Sequence, residues 1–184
     1  EARPVFVDID LVTRNIDPSK IEKAITKRTK AILAVDVFGQ SCDWDPILKI
    51  AKKHRLFVIE DSCEALGSTY KGKKCGSFGE LSVFSFYPNK QMTTGEGGIV
   101  VTDNPKLFEL LRSMRNQGRE ERLRTRKQRR GEYRSWLSHV RLGYNYRISE
   151  MNCALGSSQF SRLEAVMKKR ERVVATYNKM LGQI

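Results

Sequence analysis

Two residues, Asp61 and Lys90, have chemistry that packing alone would not call for. Lys90 comes just after the run Ser82-Val83-Phe84-Ser85-Phe86, which reads as a buried strand because its residues are β-branched, aromatic or small. Pro88 and Asn89 break that strand. A lysine at the mouth of an apolar strand is partly desolvated, and its amine becomes a usable nucleophile. The same residue could instead be a solvated lysine in a hairpin turn. Upstream, the apolar run Leu56-Phe-Val-Ile59 ends on Glu60-Asp61-Ser62-Cys63-Glu64-Ala65. Ligands of open α/β sheets bind outside the carboxyl ends of strands. Two strand ends thus offer a carboxylate and a lysine to one crevice. A lysine that can form a Schiff base, with an aspartate to partner a pyridinium nitrogen, is the pairing that pyridoxal phosphate (PLP) requires.

The elements that must hold these groups follow from pattern. Val5–Ile9 reads as a first strand, and Asp17-Pro18 caps a helix through about Thr29 with Ile21, Ala24 and Ile25 on one face. Ala31–Val35 is a continuous apolar run, as in a strand buried on both faces. Asp45 with Pro46 opens the next helix, whose Ile47, Leu48 and Ala51 face inward. The stretch from Tyr70 to Gly79 is turn-rich and reads as a surface loop. Gly95, Gly97 and Gly98 permit a tight return after Lys90 into the strand Gly98–Thr102. Asn104-Pro105 opens a helix with Leu107, Leu110, Leu111 and Met114 as its buried stripe. Ser149 caps a last helical segment, broken around Gly156 to Ser158, whose Phe160, Leu163, Met167, Arg170, Val174, Tyr177 and Leu181 form a packing stripe. Strands alternating with helices imply a parallel sheet covered on both sides.

Composition sets the outer bounds. At 184 residues the chain is long enough for one domain with a sizeable core. No apolar run approaches a membrane span and the N-terminus has no signal-peptide pattern, so no membrane partner is expected. Cys42, Cys63, Cys75 and Cys153 form no CxxC pair and have no histidine at ligand spacing, which argues against a metal or a disulfide framework and for a reducing cytoplasm. A net charge of +13 is concentrated in Arg115, Arg119, Arg122, Arg124, Arg126, Lys127, Arg129, Arg130 and Arg134. Such a run can attract nucleic-acid phosphates, or it can be a solvated surface loop, which is the reading adopted here. No GxxxxGK[ST] occurs, so the glycine turn is no P-loop.

The motifs VFVDID, NIDP, IEDSCEALGSTYKGKKCGSFG, FSFYPNKQMTTGEGGIVVT and LGYNYRISEMNCALG resemble, in order, those of the DegT/DnrJ/StrS family of PLP-dependent sugar aminotransferases. The resemblance runs from about Pro4 to Leu181, except the basic stretch near Arg119 to Arg134. It implies an α/β fold: a three-layer α/β/α sandwich with a mostly parallel sheet, the large domain of the aspartate aminotransferase-like type I PLP transferases. Residues 1–160 would be the central part of that domain, and 161–184 a helix leading towards a small C-terminal domain. The resemblance also implies that Lys90 carries PLP and moves the substrate proton, that Asp61 pairs with the pyridine nitrogen, and that the Ser85 hydroxyl meets the phosphate. Glu64 departs from the Gln or His common in the family near the ring hydroxyl. Protonated it could donate there; ionised it would repel the phenolate. Asn145 matches an asparagine that reaches the phosphate of a dimer partner, and Arg147 could meet a substrate anion or form a structural ion pair. A branch of the family has histidine in place of the lysine and dehydrates its sugar, so Lys90 favours transamination. The implied reaction moves an amino group from glutamate (or glutamine) to a keto group of a nucleotide-linked sugar, in a homodimer with shared sites. The chain alone, without the family's remaining segments, is expected not to turn over. The competing reading is a regulatory or nucleic-acid-binding protein on an aminotransferase scaffold.

Overall fold

A computed structural model of the chain describes residues 2–119 and 139–182. The basic stretch from Arg122 to Arg134 lies outside them. The chain divides into two compact units, Glu1–Val100 with Ser149–Ile184, and Val101–Ile148.

The first unit is built on a four-stranded sheet. Its strands are β1 (Ala31–Val35), β2 (Phe57–Asp61), β5 (Leu81–Ser85) and β6 (Gly98–Val101), in the order β1-β2-β5-β6. β1 pairs with β2, and β2 with β5, in parallel. The class is therefore the expected α/β with a mostly parallel sheet. Helices α1 (Pro18–Ala24) and α2 (Trp44–His54) accompany β1 and β2. Ile21, Ile32, Ala34, Trp44, Ile47, Ala51 and Val58 form the core. A two-stranded hairpin, β3 (Thr69–Tyr70) and β4 (Lys73–Lys74), opens the turn-rich stretch, which delivers Phe78 to stack on Trp44 with ring centroids 5.2 Å apart.

Several expectations are corrected. Val5–Ile9 is no strand: Asp10 accepts from the amides of Val12 and Thr13, the chain reverses, and only an isolated bridge joins Ile9 to Ile16. α1 stops at Ala24 because Thr29 Oγ1 accepts from the Thr26 amide, so a side-chain bond replaces a helical one. α2 is preceded by Asp43, not capped by Asp45; the Asp43 carboxylate accepts from the Tyr70 hydroxyl at 2.5 Å. β1 is covered on one face only. Ile32 and Ala34 are buried, whereas Leu33 is 55% exposed and Phe57 on β2 is 59% exposed. The continuous apolar run reported a face that this chain itself does not cover.

The last helix breaks at Ser161–Arg162, later than expected, into α4 (Glu150–Phe160) and α5 (Leu163–Leu181). Ser149 caps α4 by accepting from the Asn152 amide. Gly156 stays helical and serves close packing: a Cβ there would come within 2.9 Å of the Thr94 methyl. The α5 stripe is packed only at its beginning. Leu163 and Met167 are half-buried, whereas Val174, Tyr177 and Leu181 are more than half exposed.

In the second unit, Asn104 caps α3 (Pro105–Arg115) by accepting from the amides of Lys106 and Leu107. Of its expected stripe Leu107, Leu111 and Met114 are half-buried and Leu110 is exposed, and Ser113 is its buried residue. The segment around Tyr144–Tyr146 runs along the end of α3, with Tyr144 N donating to Met114 O and Tyr146 N to Arg115 O. Among the described residues no helix is long and apolar enough to cross a membrane.

Candidate functional site

In the first unit, side-chain alternation sorts β2 and β5 onto two faces. The register pairs Ala34 with Glu60 and Glu60 with Ser82, and all three are buried. The next residues, Val35, Asp61 and Val83, also pair and point the other way, and Ser85 follows Val83 on that same side. Asp61 therefore ends β2 on the face with Ser85. Its Oδ1 accepts from the Cys63 amide at 3.0 Å. Burial, and then the neighbouring Asp61, push the Cys63 thiol up to about 12, so it stays a thiol and is no competing nucleophile. Ser85 Oγ accepts from the Tyr87 amide at 3.2 Å, which leaves its hydrogen available to an anion.

Beyond β5 a turn closes with Lys90 N donating to Tyr87 O at 3.0 Å. The Lys90 side chain is 16% exposed, and its Nζ sits 3.0 Å from Glu64 Oε1. Gln91 Nε2 donates to the backbone carbonyl of the same Glu64. The return loop is held from α4, with Thr93 N donating to Gln159 Oε1 and Asn152 Nδ2 to Glu96 O, both at 3.4 Å. Lys90 is thus a partly buried, positioned amine and not a solvated turn residue.

Glu64 is the hinge of the arrangement. Its other oxygen accepts from the Phe38 amide at 2.9 Å. That N–H first, and then Lys90, hold its carboxyl below the usual range. Glu64 is therefore an acceptor here and not the protonated donor that could serve a ring hydroxyl. Phe38 follows β1 in a short 3₁₀ turn (Val37–Gly39), with φ +56° and its ring 82% exposed. Gly39 continues the turn at φ +84°, where a Cβ would stand 3.1 Å from Glu64 O. Sequence reading missed Phe38, Gly39, Gln91, Asn152 and Gln159. The glycine beside an aromatic at a strand end was the available signal for the first two.

Asn145 and Arg147 lie in the second unit. Asn145 bridges Asn116 through the backbone and its side chain is exposed. Arg147 Nη1 donates to Asn116 Oδ1 at 2.9 Å, so a polar contact within its own unit holds it. Tyr144 and Tyr146 stack 4.8 Å apart on either side of Asn145 in sequence. A cavity of about 770 Å3 in the first unit, lined in part by Glu22, Lys30, His54 and Phe57, contains none of the expected site residues. It borders the starts of β1 and β2, the wrong end of a parallel sheet for this chemistry.

The residues of the first unit suit PLP. A carboxylate at one strand end can hold a protonated ring nitrogen, a hydroxyl with a free hydrogen can meet a phosphate, and a partly buried amine can take the carbonyl carbon.

The chain is 44% identical over 183 residues to the GDP-perosamine synthase of Caulobacter vibrioides, covering 100% of this chain and 46% of that protein. Helicobacter pylori PseC, an aminotransferase of pseudaminic acid biosynthesis, superposes with a TM-score of 0.86 at 38% identity, over 96% of this chain and 45% of PseC. The E. coli GDP-4-keto-6-deoxy-D-mannose-3-dehydratase with bound hydrated PLP gives 0.84 at 32% identity, over 95% and 46%. The chain spans about half the length of the curated relatives it matches. With the family model matching residues 1–184, the chain belongs to the DegT/DnrJ/EryC1/StrS aminotransferase family.

Proposed function

We propose that this chain is the cofactor-holding part of an aminotransferase that moves an amino group from glutamate (or glutamine) to a keto group of a nucleotide-linked sugar. The observation that carries the reading is Lys90, a partly buried amine anchored 3.0 Å from Glu64, beside a neighbouring strand end that presents Asp61. Asp61 would hold the ring-nitrogen proton of PLP, and the Ser85 hydroxyl would donate to its phosphate. The bound cofactor supplies an electron sink for the pair left on the donor's carbon. Lys90 would then carry the proton between donor carbon and cofactor. Glu64 would orient the lysine while it is an ammonium and must release it when its nitrogen reacts.

A homodimer in the cytoplasm fits the exposed Asn145 side chain and four cysteines that are all free. Arg147 keeps one N–H on Asn116 and would meet a substrate anion through its remaining donors. Turnover is assigned to the longer protein, since the matched relatives are about twice this length.

The test is a panel of nucleotide keto-sugars offered to the longer protein with glutamate. Formation of an amino sugar, lost together with the borohydride-sensitive PLP absorption in Lys90→Ala, is the expected result. A deoxy-keto product without amine incorporation would assign dehydration instead.

A further inference from the structure

We propose that Asp36 and Glu60 share one proton through Ser62, and that this buried chain is what positions Asp61. Both residues flanking Asp61, Glu60 and Ser62, are 0% exposed, as is Asp36 at the end of β1. Asp36 N donates to Asp61 O at 2.9 Å, and Ser62 N donates to Val83 O at 3.0 Å. The backbone on which Asp61 rides is therefore tied to both neighbouring strands.

Glu60 is surrounded by donors. Gly76 N and the Ser62 hydroxyl approach Oε1; Phe78 N, Gly79 N and the Ser82 hydroxyl approach Oε2, at 2.8, 3.3 and 2.8 Å. The loop comes this close because Gly79 lacks a Cβ, which would fall 3.0 Å from Glu60 N. A carboxyl that only accepts is an ionised carboxylate. Ser62 Oγ lies 3.0 Å from Glu60 Oε1 and 2.8 Å from Asp36 Oδ2, but a hydroxyl has one hydrogen. If that hydrogen serves Glu60, the shorter contact needs a hydrogen on Asp36. The order is then Asp36 carboxylic acid to Ser62 hydroxyl to Glu60 carboxylate.

Two buried carboxylates this close do not both ionise without a counter-charge. Among the described residues, the titratable groups facing Asp36 are Glu60 and the thiols of Cys42 and Cys75. Burial pushes both thiols up, that of Cys75 to about 11, so neither adds charge. Burial also raises the Asp36 carboxyl above its ordinary range. Donor atoms of Asp36, Glu60 and Cys75 lie within 4.8 Å of one another, but the oxygens of Glu60 already face amides and hydroxyls, which leaves them no direction for a metal ion. The proton is what the site has room for.

The deciding measurement is infrared spectroscopy of the chain near neutral pH, with and without D2O, alongside the pH titration of the Cys63 amide signal in NMR. That amide donates to Asp61 and so reports its position. The expected result is a deuterium-sensitive carboxylic-acid carbonyl band that Asp36→Asn abolishes and Glu60→Gln retains. The Cys63 signal should move as pH rises through the Asp36 titration in the parent, and that movement should be absent in Asp36→Asn. Ser62→Ala, which keeps both carboxyls, covers the case in which Glu60→Gln does not fold: it should shift the band and keep it. A band lost in Glu60→Gln but kept in Asp36→Asn, no band at all, or a Cys63 signal indifferent to Asp36, would overturn the proposal. None of these readouts needs PLP, so their failure leaves the aminotransferase reading untouched.

Discussion

Glu60 and Asp61 are the same kind of acid, one peptide bond apart on β2, and the sheet sends them to opposite faces. Glu60 enters a face on which Ala34, Val58 and Ser82 are buried, and amides and hydroxyls surround both of its oxygens. Asp61 ends the strand on the face where Leu33 and Phe57 are more than half exposed. The chain finishes the packing on one side of its sheet and leaves the proposed cofactor contacts on the other. Substitutions should therefore separate cleanly: stability from the covered face, turnover from the open one.

The largest effect tests the open side. Lys90→Ala should lower turnover of the longer protein by about a thousandfold or more, since it removes the proposed nucleophile. Its unfolding midpoint should barely move, because the lost partner Glu64 is a partly exposed acid. A similar unfolding loss would show that the lysine is structural. The mirror image is Trp44→Ala on the covered side. Trp44 is 0% exposed and stacks on Phe78, so about 3–5 kcal/mol of stability should be lost in denaturant titration. A loss below about 1 kcal/mol would mean that the core tolerates the cavity and that the comparison fails.

Asp61→Asn comes next. The amide oxygen can still accept from the Cys63 N–H, so the fold should hold. Without the negative charge the ring-nitrogen proton is no longer held, and the rate should fall on the order of a hundredfold. A rate within about twofold of the parent would remove Asp61 from the site.

Much of this frame was legible before the structure. The runs Ala31–Val35, Ser82–Phe86 and Gly98–Thr102 read as strands, and strands form at Ala31–Val35, Leu81–Ser85 and Gly98–Val101. Ser149 caps its helix, and Asp61 stands at a strand end as expected. Contacts that depend on long-range closure were not legible. Glu64 meets the Phe38 amide only because the chain turns at Gly39 with positive φ. The division of labour between Glu60 and Asp61 follows from register, which alternation suggests but a neighbouring strand must fix. Val5–Ile9 has a strand's composition without a strand's partner, and composition cannot report that.

Glu64→Gln sharpens the comparison along pH. The Glu64 carboxyl is held below its ordinary value, so it favours the folded state above about pH 4.5. That contribution is lost as pH falls through its lowered folded value. Unfolding midpoints of the parent and Glu64→Gln should therefore differ near neutrality and converge in acid. Parallel profiles down to low pH would show that the contact to the Phe38 amide and Lys90 does not persist in solution.

The smallest effect should come from α5. Val174 is 55% exposed and Tyr177 61%, although both belong to an apolar stripe. A stripe that packs stabilises by removing area from water, at about 25 cal/mol per Å2. One that stays in solvent contributes almost nothing to folding. Val174→Ser should therefore change the stability of this chain by no more than about 0.5 kcal/mol, chiefly through helix propensity. Met167 is the internal control. Its methyl reaches within 3.7 Å of where a Gly67 Cβ would stand, so Met167→Ser should cost more than Val174→Ser in the same denaturant titration. In the longer protein the stripe gains a further test, because an element packed on it would raise the cost of Val174→Ser towards that of a core position. An unchanged small cost there would mean that α5 keeps its apolar face in solvent, and that the open side of this chain is not filled along that helix.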